Sequence, residues 1–200
     1  AREWPLPPQT INAAYSPDRN ELLFPAAVLQ APLFTAGADD AINYGAIGAV
    51  IGHEIAHAFD DQGQQFDASG AARVWWSPAD QAAYRARAGR LTRQLSAVLP
   101  NAELVSGESL ADLAGLTMAY RAYEIALGGK PVPVIDGFTG AQRFFLGWAR
   151  IWRTKVRADY ARQQLNTTPY PPAELRTNWP VSNLAAFYEA FDVKPGDKLY

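Results

Sequence analysis

Apolar residues recur at helical spacing along most of the chain, and only its opening quarter reads as extended. After a Pro-rich start (Pro5, Pro7, Pro8), the segments INAAY at 11–15 and ELLFP at 21–25 are short extended pieces. Ser16-Pro17-Asp18 between them signals a turn, so a small hairpin or edge strand is expected. Asp39 and Asp40 can cap a helix through NYGAIGAVIGHEIAHAFDD (43–61) that ends near Gly63. Ser77-Pro78-Ala79-Asp80 starts a second helix, and AAYRARAGRLTRQLSAVL carries it to Pro100. A third is expected from Ser106 or Glu108 to the Gly128-Gly129 pair. A fourth, over about 139–160, starts at Thr139 and sets Phe144, Phe145, Trp148 and Trp152 on or near one face. A loop with Pro169, Pro171 and Pro172 leads to a short helix from Ser182 to Phe191. The pattern predicts a mainly α fold with a small β-sheet, and no linker divides residues 1–200 into two domains.

Composition removes several classes of function. Two hundred residues, 48% of them hydrophobic and 19% charged, suffice for a buried core and exclude a disordered chain. No run approaches the ~18 apolar residues of a membrane-spanning helix. The opening AREWPLPPQT lacks the basic start and apolar stretch of a signal peptide, so any such segment is expected to have been removed. The absence of Cys rules out disulfides, a thiol nucleophile and thiolate metal sites. A formal charge of −2 without a dense Lys/Arg cluster argues against nucleic-acid binding.

The only two histidines, His53 and His57, both fall in HEIAH at 53–57. At i and i+4 their imidazoles share one helix face and lie close enough to hold one metal ion. Glu54 beside them can reach a water on that ion and act as general base. The bland alternative is a core helix with two satisfied histidines. A catalytic zinc site usually takes three protein ligands. With no further His and no Cys, the third must be a carboxylate, and Glu103, Glu108, Asp112 and Glu124 are candidates. Glu108 and Asp112, in GESLADLAGL, share one helix face beside Leu110, Leu113, Ala114 and Leu116. Carboxylates beside core residues are costly without a cation, which favours Glu108 as ligand and Asp112 as acceptor of an imidazole N–H. The competing reading is a solvated acidic face near a helix N-terminus.

These segments resemble the neprilysin family of zinc metallopeptidases, which includes endothelin-converting-enzyme-like members. INAAYSP (11–17), FPAAVLQAPLF (24–34), NYGAIGAVIGHEIAHAFDDQGQQFD (43–67) and GESLADLAGL (107–116) carry the resemblance. The WW pair at 75–76, FFLGWARIW (144–152) and SNLAAFYEAFDVKPGDKLY (182–200) extend it over nearly all the chain, in order. HExxH is common to many zinc peptidases, whereas HExxH followed by GExxxD is far more specific. The resemblance implies a thermolysin-like zincin catalytic domain built on an HExxH helix and a GExxxD helix. It implies one Zn2+ held by His53, His57 and Glu108, with Glu54 as base and Asp112, and also Asp60, orienting the ligands. Asn12 and Ala13 match the pair that holds the substrate backbone as an added strand. Arg176 matches an arginine that binds a substrate carbonyl. Val28, Leu33, Ala49, Val50, Ile151 and Trp152 fall where the family lines an apolar pocket for the residue after the scissile bond.

The chain departs from the family pattern in three places. Tyr170 stands six residues before Arg176, where the family has a histidine that stabilises the oxyanion. The family's large N-terminal helical half, which closes over the site, is absent, and family members continue a little past GDKLY. The expectation is therefore a zinc endopeptidase acting on short peptides with an apolar residue after the cut. Its partners are peptide substrates and the missing half, a second chain or a homo-oligomer, and its setting is extracytoplasmic by resemblance alone. The alternative from another class is a zinc-bound peptide-binding module without efficient turnover.

Overall fold

A computed structural model describes residues 4–200, with the side chains of Arg162 and Asn166 excepted. Strands β1 (Ala14–Ser16) and β2 (Glu21–Leu23) pair antiparallel, with Tyr15 opposite Leu22. The hairpin expected from the Ser-Pro-Asp signal is present, and shorter than the apolar segments around it. Its turn is closed by bonds from Arg19 N to Ser16 O and from Asn20 N to Pro17 O.

Helical turns then run almost without interruption from α1 (Asp40–Asn43) through a π-helical turn (Tyr44–Gly48) to α2 (Ala49–Ala56). A 3-10 turn (His57–Phe59) ends them, where Asp60 turns extended. The wide π turn has a local use. Ile47 N donates to Leu33 O at 3.1 Å, and the Asn43 amide accepts from Thr35 N and donates to Thr35 O. The preceding loop, with Leu33 on it, is thereby tied to the helix that carries the histidines.

Helix α3 (Pro78–Ser96) starts with a full capping box between Ser77 and Asp80. Helix α4 (Ala102–Leu127) ends at Gly128, whose φ of +56° is a left-handed conformation that glycine adopts without steric cost. It starts earlier than Ser106, because Ala102 and Val105 are buried and continue its apolar stripe across Gly107. Ala102 packs with Leu95 and Trp179 there, and this burial outweighs the helix-weakening effect of the glycine.

Helix α5 (Gly140–Ile151) opens with a second capping box, Thr139 with Gln142. The single helix expected over 139–160 is two. Trp152 ends α5, and α6 (Ala158–Thr167) begins after an extended Arg157. Beyond Trp152 the core-facing stripe stops, Val156 is exposed, and Arg153, Lys155 and Arg157 crowd like charges together. The Pro-rich segment contains a further helix, α7 (Ala173–Val181), with Pro172 as its N-cap and Pro180 in its last turn. The last helix, α8 (Ala185–Phe191), begins slightly later than expected and ends at Phe191 as expected.

The main core forms where α4 and α5 meet the helix that runs from α1 into α2. Leu116, Phe144, Phe145 and Trp148 are its fully buried large side chains, joined by Ala41, Ala49 and Tyr123. Among the described residues, no helix is long and apolar enough to cross a membrane.

Candidate metal centre

Helices α2 and α4 pack side by side and bring HEIAH against GESLAD. His53 Nδ1 lies 2.8 Å from Asp112 Oδ1, and His57 Nδ1 lies 2.8 Å from Asp60 Oδ2. Each carboxylate accepts, so in the neutral ring each Nδ1 carries the proton and Nε2 offers the lone pair that a metal would take. Those two Nε2 atoms nevertheless face one another at 3.1 Å. Glu108 approaches the same point, with Oε2 3.2 Å from His53 Nε2 and Oε1 3.9 Å from His57 Nε2. Glu108 Oε2 is buried and has no hydrogen-bond partner.

One possible ligand atom from each of His53, His57 and Glu108 thus lies within 4.8 Å of the others, an arrangement that calls for positive charge among them, either a metal ion or a proton on His53. Ligand atoms around a tetrahedral zinc with bonds of about 2.0–2.1 Å lie roughly 3.3 Å apart, close to the spacings found. Donor types and geometry both fit zinc. The electrostatics agree. Burial pulls His53 toward the neutral form, yet Asp112, bonded to its Nδ1, and the Glu108 carboxylate beside its Nε2 outweigh this and lift its pKa to about 9. The protein is arranged to favour positive charge at this point.

The supporting groups are themselves held. Asp112 is 1% exposed and takes a bidentate pair from Arg176, Nε to Oδ2 at 2.7 Å and Nη2 to Oδ1 at 2.5 Å. Burial would raise the Asp112 carboxyl, but Arg176 and His53 reverse this and hold it below its ordinary value. Asp60 Oδ1 accepts from Gln62 N and Gly63 N, each at 2.8 Å, which fixes its other oxygen on His57. Arg176 also lies over the Trp152 ring, 3.9 Å from its centroid. It is therefore no plain surface arginine.

Glu54, 7% exposed, faces the same cavity. Burial raises its carboxyl above the usual carboxylate range, against the pull of His53 and His57 and of the Tyr15 backbone N–H. A carboxylate so placed is well suited to take and return a proton.

The cavity holds about 540 Å³. Its walls include Asn12, Ala13, Val28, Leu33, Val50, Ile151, Trp152, Tyr170 and Arg176, together with the three cluster residues, Glu54 and Asp112. One residue expected on this wall lies elsewhere. Ala49 is fully buried in the core, because at this position α2 faces α4 and α5 rather than the cavity. Asp60 lines a neighbouring cleft behind His57. Ile11, Ala14, Tyr15, Pro32 and Trp148 also line the cavity, and sequence reasoning did not single them out. Trp148 carries no distinguishing signal, since its apolar spacing marks it only as core. Tyr170 sits at the rim, 44% exposed, its ring centroid 5.7 Å from Arg176 Cζ.

Comparison with known proteins agrees with this geometry. The model of peptidase family M13 matches residues 12–200. Neutral endopeptidase of Lactococcus lactis is 40% identical over 202 residues, covering 98% of this chain and 31% of that protein. Human endothelin-converting enzyme 1 is 38% identical over 206 residues, covering 98% of this chain and 27% of that protein. The crystal structure of Mycobacterium tuberculosis zinc metalloprotease ZMP1 in complex with inhibitor superposes with a TM-score of 0.94 at 48% identity. That match covers 99% of this chain and 32% of ZMP1. The chain thus spans about a third of the length of these relatives. With the mainly helical zincin architecture, the HExxH and GExxxD helices in contact and nearly the whole sequence matched, the chain belongs to peptidase family M13.

Proposed function

We propose that this chain is the catalytic region of a zinc-dependent endopeptidase that holds one zinc per chain and cuts short peptides before an apolar residue. The observation that carries the proposal is the convergence of His53 Nε2, His57 Nε2 and a buried Glu108 oxygen in a cavity that also contains Glu54. His53, His57 and Glu108 would hold the metal. Bound there, zinc supplies Lewis acidity toward a peptide carbonyl and toward water.

The chain's own residues do the remaining work. Glu54 takes the proton of the attacking water and returns it to the leaving amine. Asn12 and Ala13, just before β1, offer backbone and amide groups to an extended peptide. Arg176, with Nε and Nη2 engaged by Asp112, has Nη1 left for a substrate carbonyl. Val28, Leu33, Val50, Ile151 and Trp152 form the apolar wall that receives the side chain after the cut. A helical half of the kind found in the family would close over this cavity and restrict entry to short peptides, in an extracytoplasmic setting.

Tyr170 takes the place of the family's histidine as donor to the oxyanion. Burial raises its hydroxyl pKa above the ordinary value of 10, Glu108 and Glu54 add to this, and Arg176 opposes it. The hydroxyl therefore stays protonated across neutral pH and donates without needing charge. Tyr170→Phe is expected to lower kcat roughly 10- to 1,000-fold with zinc affinity unchanged. Tyr170→His is expected to keep activity but move the alkaline limb of the pH–rate profile down, since imidazolium is lost above a pKa of about 6.5. Steady-state kinetics from pH 6 to 9 checks both, and a wild-type kcat for Tyr170→Phe throughout would remove Tyr170 from the mechanism. Cleavage of an internally quenched peptide by the zinc-loaded protein tests the whole proposal. Tight peptide binding without cleavage would favour a binding module.

A further inference from the structure

Helices α2 and α4 cross at a contact between two glycines. A Cβ on Gly115 would collide with the backbone N of His53 and lie 2.6 Å from Ala49 O. A Cβ on Gly52 would lie 2.6 Å from Gly115 O and 2.8 Å from Gly115 Cα. Every atom struck is backbone, so no side-chain rotation relieves the clash. Even one methyl group would force the two helices apart.

The crossing is aligned with the metal-binding side chains. Glu108, Asp112 and Gly115 occur at i, i+4 and i+7, one stripe along α4. Ala49, Gly52 and His53 form the facing stripe of α2. Gly115 touches the backbone of His53 itself, the residue whose imidazole meets Asp112 on one nitrogen and Glu108 on the other. At 1.5 Å of rise per residue, Asp112 lies about 4.5 Å and Glu108 about 10.5 Å along α4 from this contact. Other glycines of these helices and of the π turn before α2 are not placed at this crossing, and Gly45 of that turn packs on the Phe144 backbone of α5 instead. Gly107 has nothing within 4 Å of its Cβ position, and Gly48 has only ordinary contacts at 3.6 Å and beyond.

We propose that Gly52 and Gly115 are positioning residues that set the helix separation at which Glu108 and Asp112 reach the two histidines. The inference rests on the reading of His53, His57 and Glu108 as a metal site. Adding a methyl at Gly115 would carry Glu108 away from the convergence point while leaving both histidines on their own helix. The centre would then behave as a two-ligand site.

Zinc affinity, measured in the intact protein by competition with a chromophoric chelator, tests this without recourse to activity. Gly115→Ala is expected to weaken zinc about 10- to 100-fold, the range found when supporting groups of metal ligands are lost. Its Co2+-loaded form should lose the strong visible absorption of a four-coordinate centre. Gly147→Ala is the control. Its Cβ would come as close as 2.6 Å to Ile42 O, where α5 meets α1 and neither helix carries a ligand, and it should lower Tm with zinc affinity unchanged. In a Glu108→Gln background, Gly115→Ala should weaken zinc less than it does in the wild type, because only the hold of Asp112 on His53 is then left to lose. Unchanged zinc affinity in Gly115→Ala, or an undiminished effect in the Glu108→Gln background, would overturn the inference. So would failure of both Gly52→Ala and Gly115→Ala to fold even with zinc, since the contact would then be structural alone. Wild-type protein that takes up no zinc would instead overturn the metal site itself.

Discussion

Replacing Glu54 by Gln is expected to abolish peptide cleavage and to leave zinc in place. Glu54 lines the cavity beside the cluster but is not one of the three converging groups, so its loss removes a base and no ligand. The amide has nearly the same size and cannot take the proton of the attacking water. Loss of a positioned general base costs typically ~10²–10⁴-fold in rate, and more where the same group must also protonate the leaving amine. The expected pattern is a fall in kcat and in kcat/KM together, with unchanged zinc content and intact peptide binding. Loss of zinc in Glu54→Gln would show the residue to be part of the metal's support. Residual cleavage near the wild-type rate would place the base elsewhere.

Substitution of Asp112 is expected to have the second large effect, because three contacts meet on one buried carboxylate. It accepts from His53 Nδ1, fixes that ring's tautomer and neutralises Arg176. Asp112→Ala leaves the Arg176 guanidinium, only 12% exposed, without its counter-charge. Removing one partner of such a buried pair costs about 3–5 kcal/mol, and the freed histidine should weaken zinc about 10- to 100-fold. The pH dependence follows from the depressed carboxyl. A folded-state value below the unfolded one of about 3.9 gives stability that is complete above that pH and lost as pH falls through the folded value. Asp112→Asn should therefore be less stable at neutral pH and show a shallower loss on acidification. Thermal unfolding of both proteins between pH 3 and 7 checks this, and parallel curves would contradict it.

The two large effects also show what a sequence can reveal. His53 with His57, and Glu108 with Asp112, are i,i+4 pairs, so helix periodicity alone aims each pair at one point. The helix starts at Ser77 and Thr139 were legible for the same reason, since a capping box is local chemistry. What was hidden depends on tertiary contact. Arg176 meets Asp112 across 64 residues of chain, and no spacing rule connects them. The close approach of Gly115 to His53 exists only once two helices cross. Helix α7 was masked by Pro171, Pro172 and Pro180, which read as loop although Pro172 only begins the helix and Pro180 lies in its last turn. The break between α5 and α6 was missed because aromatic periodicity up to Trp152 suggests continuation, whereas the core it packs on ends there.

The central claim is that His53, His57 and Glu108 together hold a catalytic zinc. Anomalous diffraction at the zinc edge from crystals of the zinc-loaded protein tests it most directly. One zinc per chain is expected, with His53 Nε2 and His57 Nε2 at about 2.0–2.1 Å, a Glu108 oxygen as third ligand and one position open to water. Zinc bound elsewhere, or held by the histidines with Glu108 turned away, would contradict the account.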